Sequence, residues 1–424
     1  MTSMSNAQGR ARARWYTAGL AGLTGVASVA TLSGTAAATN PNEAVPCSPD
    51  ALTAAIVHAN AAGGAQLTLT PRCTYTLTTN QGPDGLPIIT QPITVDGQDA
   101  TITRAATATN FRILNVGVGG NLTLTNLTIT GGIAPGSPGG GGILIQAGGQ
   151  ATLHNTTVAG NRSAAVGGGI ANYGITTLVG DDRGGNGVDN NSSQTSGGGI
   201  YNEGRLSTKD VEVSYNTSGS LGGGLIDQGA AVLEQTRIDH NTAASNGGGI
   251  TSAAAITKLT DSSVSDNTAG SGGGGIASLL SAVYLRGTTV DRNTATGNGG
   301  GIDIEGFTTI GSSSVVVEDS EINGNTARGD GGGIRIRLSN LVLRRSHVDL
   351  NKAIGAASQG GGVSNSSGRL DLTATQVTEN SSTVAPGGIF TNDPLVTVDQ
   401  KSVIVANRPT NCTGSAFAVP NCFG

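Results

Sequence analysis

The chain has 424 residues, of which 69 are glycine, 36% are apolar and only 12% are charged, with a formal net charge of −5. The apolar fraction is too high and too evenly spread for a disordered chain, and the acidic balance argues against a nucleic-acid partner. Length alone suggests two or three domains, but a regular repeat can spend the same length on one.

The first 38 residues carry Arg10, Arg12 and Arg14 and no acidic residue, followed by a weakly apolar stretch from Trp15 to Ala38. A basic start, an apolar middle and the small residues Ala36, Ala37 and Ala38 predict a signal peptide over 1–38 and an exported, extracellular or cell-surface protein. The stretch is too rich in Gly, Ala, Ser and Thr for a durable span, so no membrane span is expected in the mature chain. Its removal leaves 20 basic against 28 acidic residues, a net of −8, and takes away the single Trp.

Residues 39–80 read as an N-terminal cap. Ser48 is a good helix N-cap, Pro49 suits the first helical turn, and Leu52, Ala55, Ile56 and Ala59 fall on one face that can cover the first coil of a repeat region. The four cysteines, Cys47, Cys73, Cys412 and Cys422, stand as two pairs at the two ends of the mature chain. In an exported protein this reads as the disulfides Cys47–Cys73 and Cys412–Cys422. Free or metal-binding thiols are the alternative, which no CxxC and no neighbouring His cluster supports.

Residues 81–407 are dominated by a repeat. A Gly-Gly-aliphatic step recurs at Ile143, Ile170, Ile200, Leu225, Ile250, Ile276, Ile302, Ile334, Val363 and Ile389, with spacings of 25 to 32 residues. Nine residues before most of these stands an asparagine: Asn161, Asn191, Asn216, Asn241, Asn267, Asn293, Asn325 and Asn380, with Asn351 three residues earlier than the rule. Apolar residues alternate over short runs such as Val283-x-Leu285 and Leu370-x-Leu372, the period-two pattern of strands, and no helical period is present. About three short strands per unit are expected. Such a unit cannot bury its own apolar face without stacking on neighbours, so the pattern predicts an all-β, right-handed parallel β-helix of about ten or more coils.

Gly132 stands where the later units have Asn, and Gly and Asn best tolerate a left-handed backbone, so a left-handed bend is expected at each of these asparagines. Their side chains form a candidate structural ladder along the axis. Thr156, Thr236, Ser262, Thr288, Ser320, Ser346 and Thr375 form a candidate second ladder, and the glycines before the aliphatic step mark a crowded turn. Register further places Asp303 over Arg335 and Glu305 over Arg337 as exposed ion pairs. Residues 408–424, with Pro409 and the second cysteine pair, are expected to cap the last rung.

The Asn-x8-Ile unit with Gly-Gly-Gly-Ile resembles the repeats of polymorphic outer-membrane proteins and other β-helix proteins of pectate-lyase-like fold, from about Leu122 to Asn407. The entry segment from Cys47 through Tyr75 resembles the leader found before such repeats, with Pro49 and Asp50 departing from it. The chain reaches Gly424 soon after the last unit, so no autotransporter barrel is expected.

The resemblance implies a fold on which enzymes act mainly on acidic polysaccharides, which makes paired carboxylates and clustered calcium ligands the groups to expect. Asp181 and Asp182 are adjacent carboxylates in a stretched unit, the residue type glycoside hydrolysis needs, yet the Gly-His-Gly and Arg-x-Lys of polygalacturonases are absent. Gly184 to Asp189 matches one calcium-binding nonapeptide, making Asp189 a candidate metal ligand, although such sites need adjacent copies. His58, His154, His240 and His347 read as surface residues. No Lys-Ser/Thr follows the glycine runs, which removes a phosphate cradle. No cofactor is expected. The sequence therefore favours a surface or extracellular adhesion or structural binding protein, with cell-envelope polysaccharide or a surface protein as partner, over a polysaccharide lyase or hydrolase.

Overall fold

The computed structural model describes residues 42–181, 187–308 and 311–424. Residues 1–38, expected to be a signal peptide, together with Asp182 and Gly184-Gly185-Asn186, lie outside the described residues. From Asn42 onward the chain is a parallel β-solenoid of about 13 turns. Turns outnumber the ten aliphatic steps because the earliest lack the step but keep the pairing. Pro92–Arg104 pairs in parallel with Asn121–Thr130 on one side, and with Ala65–Leu69 and Thr74–Leu77 on the other. These strands lie partly within 39–80, so the sheet begins inside the segment assigned to the N-terminal cap.

A full coil contains four strands rather than the three expected, as in Ala230–Glu234, Arg237–Asp239, Thr242–Ala243 and Ile250–Ala253. The two-residue third strand is too short to show alternation in sequence. First and second strands share one 24-stranded sheet, third strands form a 10-stranded sheet and fourth strands an 11-stranded sheet. Alternate residues point inward and stack as like on like. Leu233, Leu259, Leu285, Val317 and Leu343 form one buried column, and Ile250, Ile276, Ile302 and Ile334 another. Burying each such side chain stabilises by about 1.5–3 kcal/mol relative to leaving it in water, which a single coil could not achieve alone.

The helix Pro49–Ala62 starts at Ser48, whose hydroxyl accepts from the Ala51 amide, and ends at left-handed Gly63. Its buried residues are Leu52, Ala55, Ile56 and Ala59, packed on the first strands. Cys47 is bonded to Cys73 and Cys412 to Cys422, with Cα–Cα distances of 5.7 and 6.2 Å.

The bend between second and third strands corrects the expectation for the asparagines. The left-handed residue is the one before each of them: Asn190, Tyr215, His240, Asp266, Arg292, Leu350 and Glu379 at φ of 52–57°, and Gly160 and Gly324 at 65° and 63°. Having turned the chain, this residue points outward, and the following asparagine points in and is fully buried. Each asparagine then supplies hydrogen bonds the backbone lacks at a corner. Asn293 Nδ2 donates to the Val264 carbonyl at 2.8 Å and to Asn325 Oδ1 at 3.0 Å. Its Oδ1 accepts from the backbone amide and Nδ2 of Asn267, both at 3.0 Å. The same linkage joins Asn161, Asn191, Asn216, Asn241, Asn267, Asn293, Asn325, Asn351 and Asn380, and runs on to Asn407 and Asn411. Gly132 heads the column because its amide alone suffices, donating to Asn161 Oδ1.

A shorter hydroxyl ladder follows the same rule at the bend between first and second strands. Backbone amides of Thr236, Thr288, Ser320 and Thr375 donate to Ser262, Ser320, Ser346 and Ser402 of the next coil. The Thr156 hydroxyl donates to the His154 carbonyl, as those of Thr236, Ser262, Thr288, Ser320, Ser346 and Thr375 do to the carbonyl two residues before. The glycine turn is as crowded as expected. A Cβ on Gly248 or Gly274 would stand 2.3 Å from a carbonyl oxygen of the coil above.

Candidate functional site on the lateral sheet

Among the described residues singled out for chemistry, Asp181 and Asp189 are each held by a neighbouring asparagine. Asp181 accepts from Asn155 at 3.1 Å, and Asp189, on strand Gly187–Asp189, accepts from Asn190 at 2.9 Å. Among the described residues no group of three His, Cys, Asp or Glu is arranged to hold a metal ion. His58 on the helix lies 3.3 Å from Glu43 of strand Asn42–Val45, His240 Nδ1 lies 2.9 Å from Asp239, and His347 lies 3.8 Å from Asp349.

The Asp303–Arg335 pair forms in the register expected, with two hydrogen bonds of 2.5 and 2.9 Å, but it is not exposed. Asp303 is 3% exposed and the Arg335 side chain 13%, because the glycine turn of the preceding coil folds over them: the carboxylate sits where a Cβ of Gly272 would be. Glu305 and Arg337, two residues on, do lie at the surface.

What sequence reading missed is a groove on the outer face of the 24-stranded sheet, about 540 Å³, centred on strands Ile256–Thr260, Ala282–Arg286 and Ser314–Glu318. Alternation sends Ile256 and Lys258, then Tyr284 and Arg286, then Val316 and Glu318, to the outside of three consecutive coils. Ile256 and Tyr284 are 51% and 43% exposed, an apolar floor open to solvent. Lys258 Nζ lies 5.8 Å from the centre of the Tyr284 ring, within cation–π range.

The charges around this floor are unequally satisfied. Glu318 is held by Arg345 at 2.6 Å. Elsewhere on the outer faces Arg237, Arg292, Arg335, Arg337 and Arg369 each pair with a carboxylate. Among the described residues, neither Lys258 nor Arg286 has a carboxylate within ion-pair distance, although Arg286 is the register neighbour of Glu318. The signal was present in the sequence as a column of outward residues, but only the register of the first strands assembles Lys258, Tyr284 and Arg286.

Two further aromatic contacts lie on the outside. Tyr173 and Tyr201, from successive coils, have ring centres 5.6 Å apart, and the Tyr201 hydroxyl bonds Glu203 and Gln228. Burial, then the bond to Glu203, push the Tyr201 phenol above its usual range. Tyr215 and His240, both left-handed corner residues, stack at 4.8 Å.

Strand register and inward stacking define a β-helix repeat protein. Residues 188–203 match the Chlamydia polymorphic membrane protein repeat, a stretch that here runs from the second strand of a coil through Asn191 and the glycine turn to the fourth strand. No curated protein matches the chain. Among solved structures, the A-module of the mannuronan C-5 epimerase AlgE6 of Azotobacter vinelandii is similar over 84% of this chain and 94% of that one, at 14% identity and a TM-score of 0.38. Among the described residues no helix is long and apolar enough to cross a membrane.

Proposed function

We propose that this is an exported protein of the cell surface or extracellular space that binds a cell-envelope polysaccharide or surface protein through the lateral face of its solenoid. The observation that carries the reading is the exposed apolar groove around Tyr284, set on three rigidly paired strands and flanked by Lys258 and Arg286, which make no ion pair among the described residues. A face whose backbone is fixed by neighbouring coils loses little conformational entropy on binding, which favours an adhesive or structural role. The basic, apolar start of the chain, the two disulfides and the matched repeat support export to a surface.

The test is retention of the full secreted chain on immobilised polysaccharides and on intact cell envelopes, compared with Tyr284→Ala. The reading expects retention that the substitution weakens. Release of reducing sugar or unsaturated product from a polysaccharide, abolished by Asp181→Ala, would replace it with the lyase or hydrolase reading.

A further inference from the structure

We infer that the chain binds the face of an ice crystal through an uncharged array of threonines on the second strands of its first coils. The array uses none of the residues of the Tyr284 groove, so this reading and the proposed surface binding are tested independently.

Strand register lays the array out. Thr74, Thr101, Thr128 and Thr157 are partners in four successive rows, and Thr76, Thr103 and Thr130 form a second column, with Ala159 closing the fourth row. One buried residue, Tyr75, Ile102, Ile129 or Val158, separates the two members of each row, so alternation sends both to the outer face. The one register shift in strand Pro92–Arg104 falls before Ala100, outside the array. Hydroxyls therefore repeat at about 4.8 Å from row to row and about 6.6 Å within a row. Among the described residues, the side chains of Thr74, Thr76, Thr101, Thr128 and Thr130 have no hydrogen-bond partner, and Thr103 has only the Arg104 carbonyl at 3.4 Å.

The columns change composition where the fold does not. Further along the same sheet these two positions hold Glu212, Arg237, Asp239, Asp291, Glu321 and Asp349, so the solenoid itself does not require threonine there. Charges border the array without entering it. Arg72 and Asp99 stand at the bends before the first two rows, and Asp189 lies two rows beyond Thr130. The Arg104 guanidinium is taken up by the carbonyls of Gly131, Ala105 and Ala108.

These features select the ligand. A hydroxyl that exchanges liquid water for another neutral partner gains little by itself, so the array gains only where many exchanges occur together with no cost of ordering the side that presents them. Strand pairing already fixes the rows. The partner must then be neutral, extended and periodic in two directions at nearly the same spacings, as the water oxygens on a prism face of ice are. Threonine offers that lattice a hydroxyl to bond and a methyl to fill its hollows. A charged polymer finds no counter-charge in the columns, and a crystalline polysaccharide finds no aromatic ring for its sugar faces.

The experiment grows ice slowly in a solution of the full secreted chain and measures the fraction taken into the ice, the crystal shape, and the gap between melting and freezing points. Thr101→Tyr and Thr128→Tyr place a ring in the middle rows. Thr74→Tyr, at an exposed position of the first row, keeps the test in force should a middle-row variant fail to fold. Thr289→Tyr makes the same change in the same column among charged neighbours, Asp291 and Glu321. The wild-type chain is expected to be concentrated in the ice and to facet the crystals, each folded array variant to lose both effects, and Thr289→Tyr to keep both, with thermal unfolding reporting which variants are folded. Exclusion of the wild-type chain from ice overturns the inference, as does uptake that no array variant changes or that Thr289→Tyr loses as fully as they do. Retention on microcrystalline cellulose in liquid buffer, lost with Thr128→Tyr and without uptake into ice, assigns the array to a crystalline polysaccharide and overturns it as well.

Discussion

Asn293→Ala tests the central structural element of the solenoid. The substitution removes four hydrogen bonds at a fully buried site: two donated by Nδ2, to Val264 and Asn325, and two accepted by Oδ1 from Asn267. It leaves the Asn267 amide and the Val264 carbonyl without these partners in the interior, each costing about 1–3 kcal/mol, and opens a small cavity. A loss of about 3–5 kcal/mol is expected, and Asn293→Gly should be at least as damaging. If the asparagine were needed for a left-handed backbone, glycine would instead be mild. The left-handed position beside the ladder behaves oppositely. Leu350, at φ 57° and 47% exposed, should gain up to about 1 kcal/mol on replacement by glycine, whereas Asn351→Gly should lose several. Denaturant unfolding with hydrogen exchange on the coils around residues 264–325 for the first comparison and 322–380 for the second gives both numbers, the exchange being needed because a solenoid can open locally. An Asn293→Gly variant within about 0.5 kcal/mol of wild type would refute the ladder argument.

Gly274→Ala should cost more than about 2 kcal/mol, because its Cβ meets the Gly300 carbonyl at 2.3 Å and backbone must shift; wild-type thermal stability would contradict that crowding. Arg335→Ala strands the buried Asp303 carboxylate and should cost about 3–5 kcal/mol, against about 0–1 for Arg337→Ala, measured by equal denaturant titrations. Burial holds the Asp227 carboxyl above the usual range despite its bonds to Thr257 and Asn202. A carboxyl with a raised folded pKa binds more protons folded than unfolded. Its destabilising effect is therefore present at neutral pH and is relieved as pH falls through the folded value toward the unfolded one, about 3.9. Asp227→Asn should be at least as stable as wild type at pH 7 and should lose that relief on acidification; destabilisation by more than about 1 kcal/mol at pH 7 would refute it.

The repeat was legible without coordinates because stacking in register forces the same residue type to recur at the same place in every coil. The period-two runs, the glycine step and the Asn column determined a parallel β-solenoid, and the terminal cysteines determined their partners by proximity along the chain. Register, counted from Ile302 and Ile334, was enough to pair Asp303 with Arg335. Tertiary structure alone decided what lay on the two sides of a bend. An asparagine in sequence is equally compatible with turning the chain and with bonding inside the turn, and only the fold shows that Arg292 turns while Asn293 bonds. It also decided burial on the outer faces, since the turn that covers Asp303 comes from the coil before and leaves no mark in the residues around it. The groove belongs to this second kind. Lys258, Tyr284 and Arg286 lie up to 28 positions apart in sequence, and their meeting depends on strand spacing and on the direction each side chain leaves the sheet.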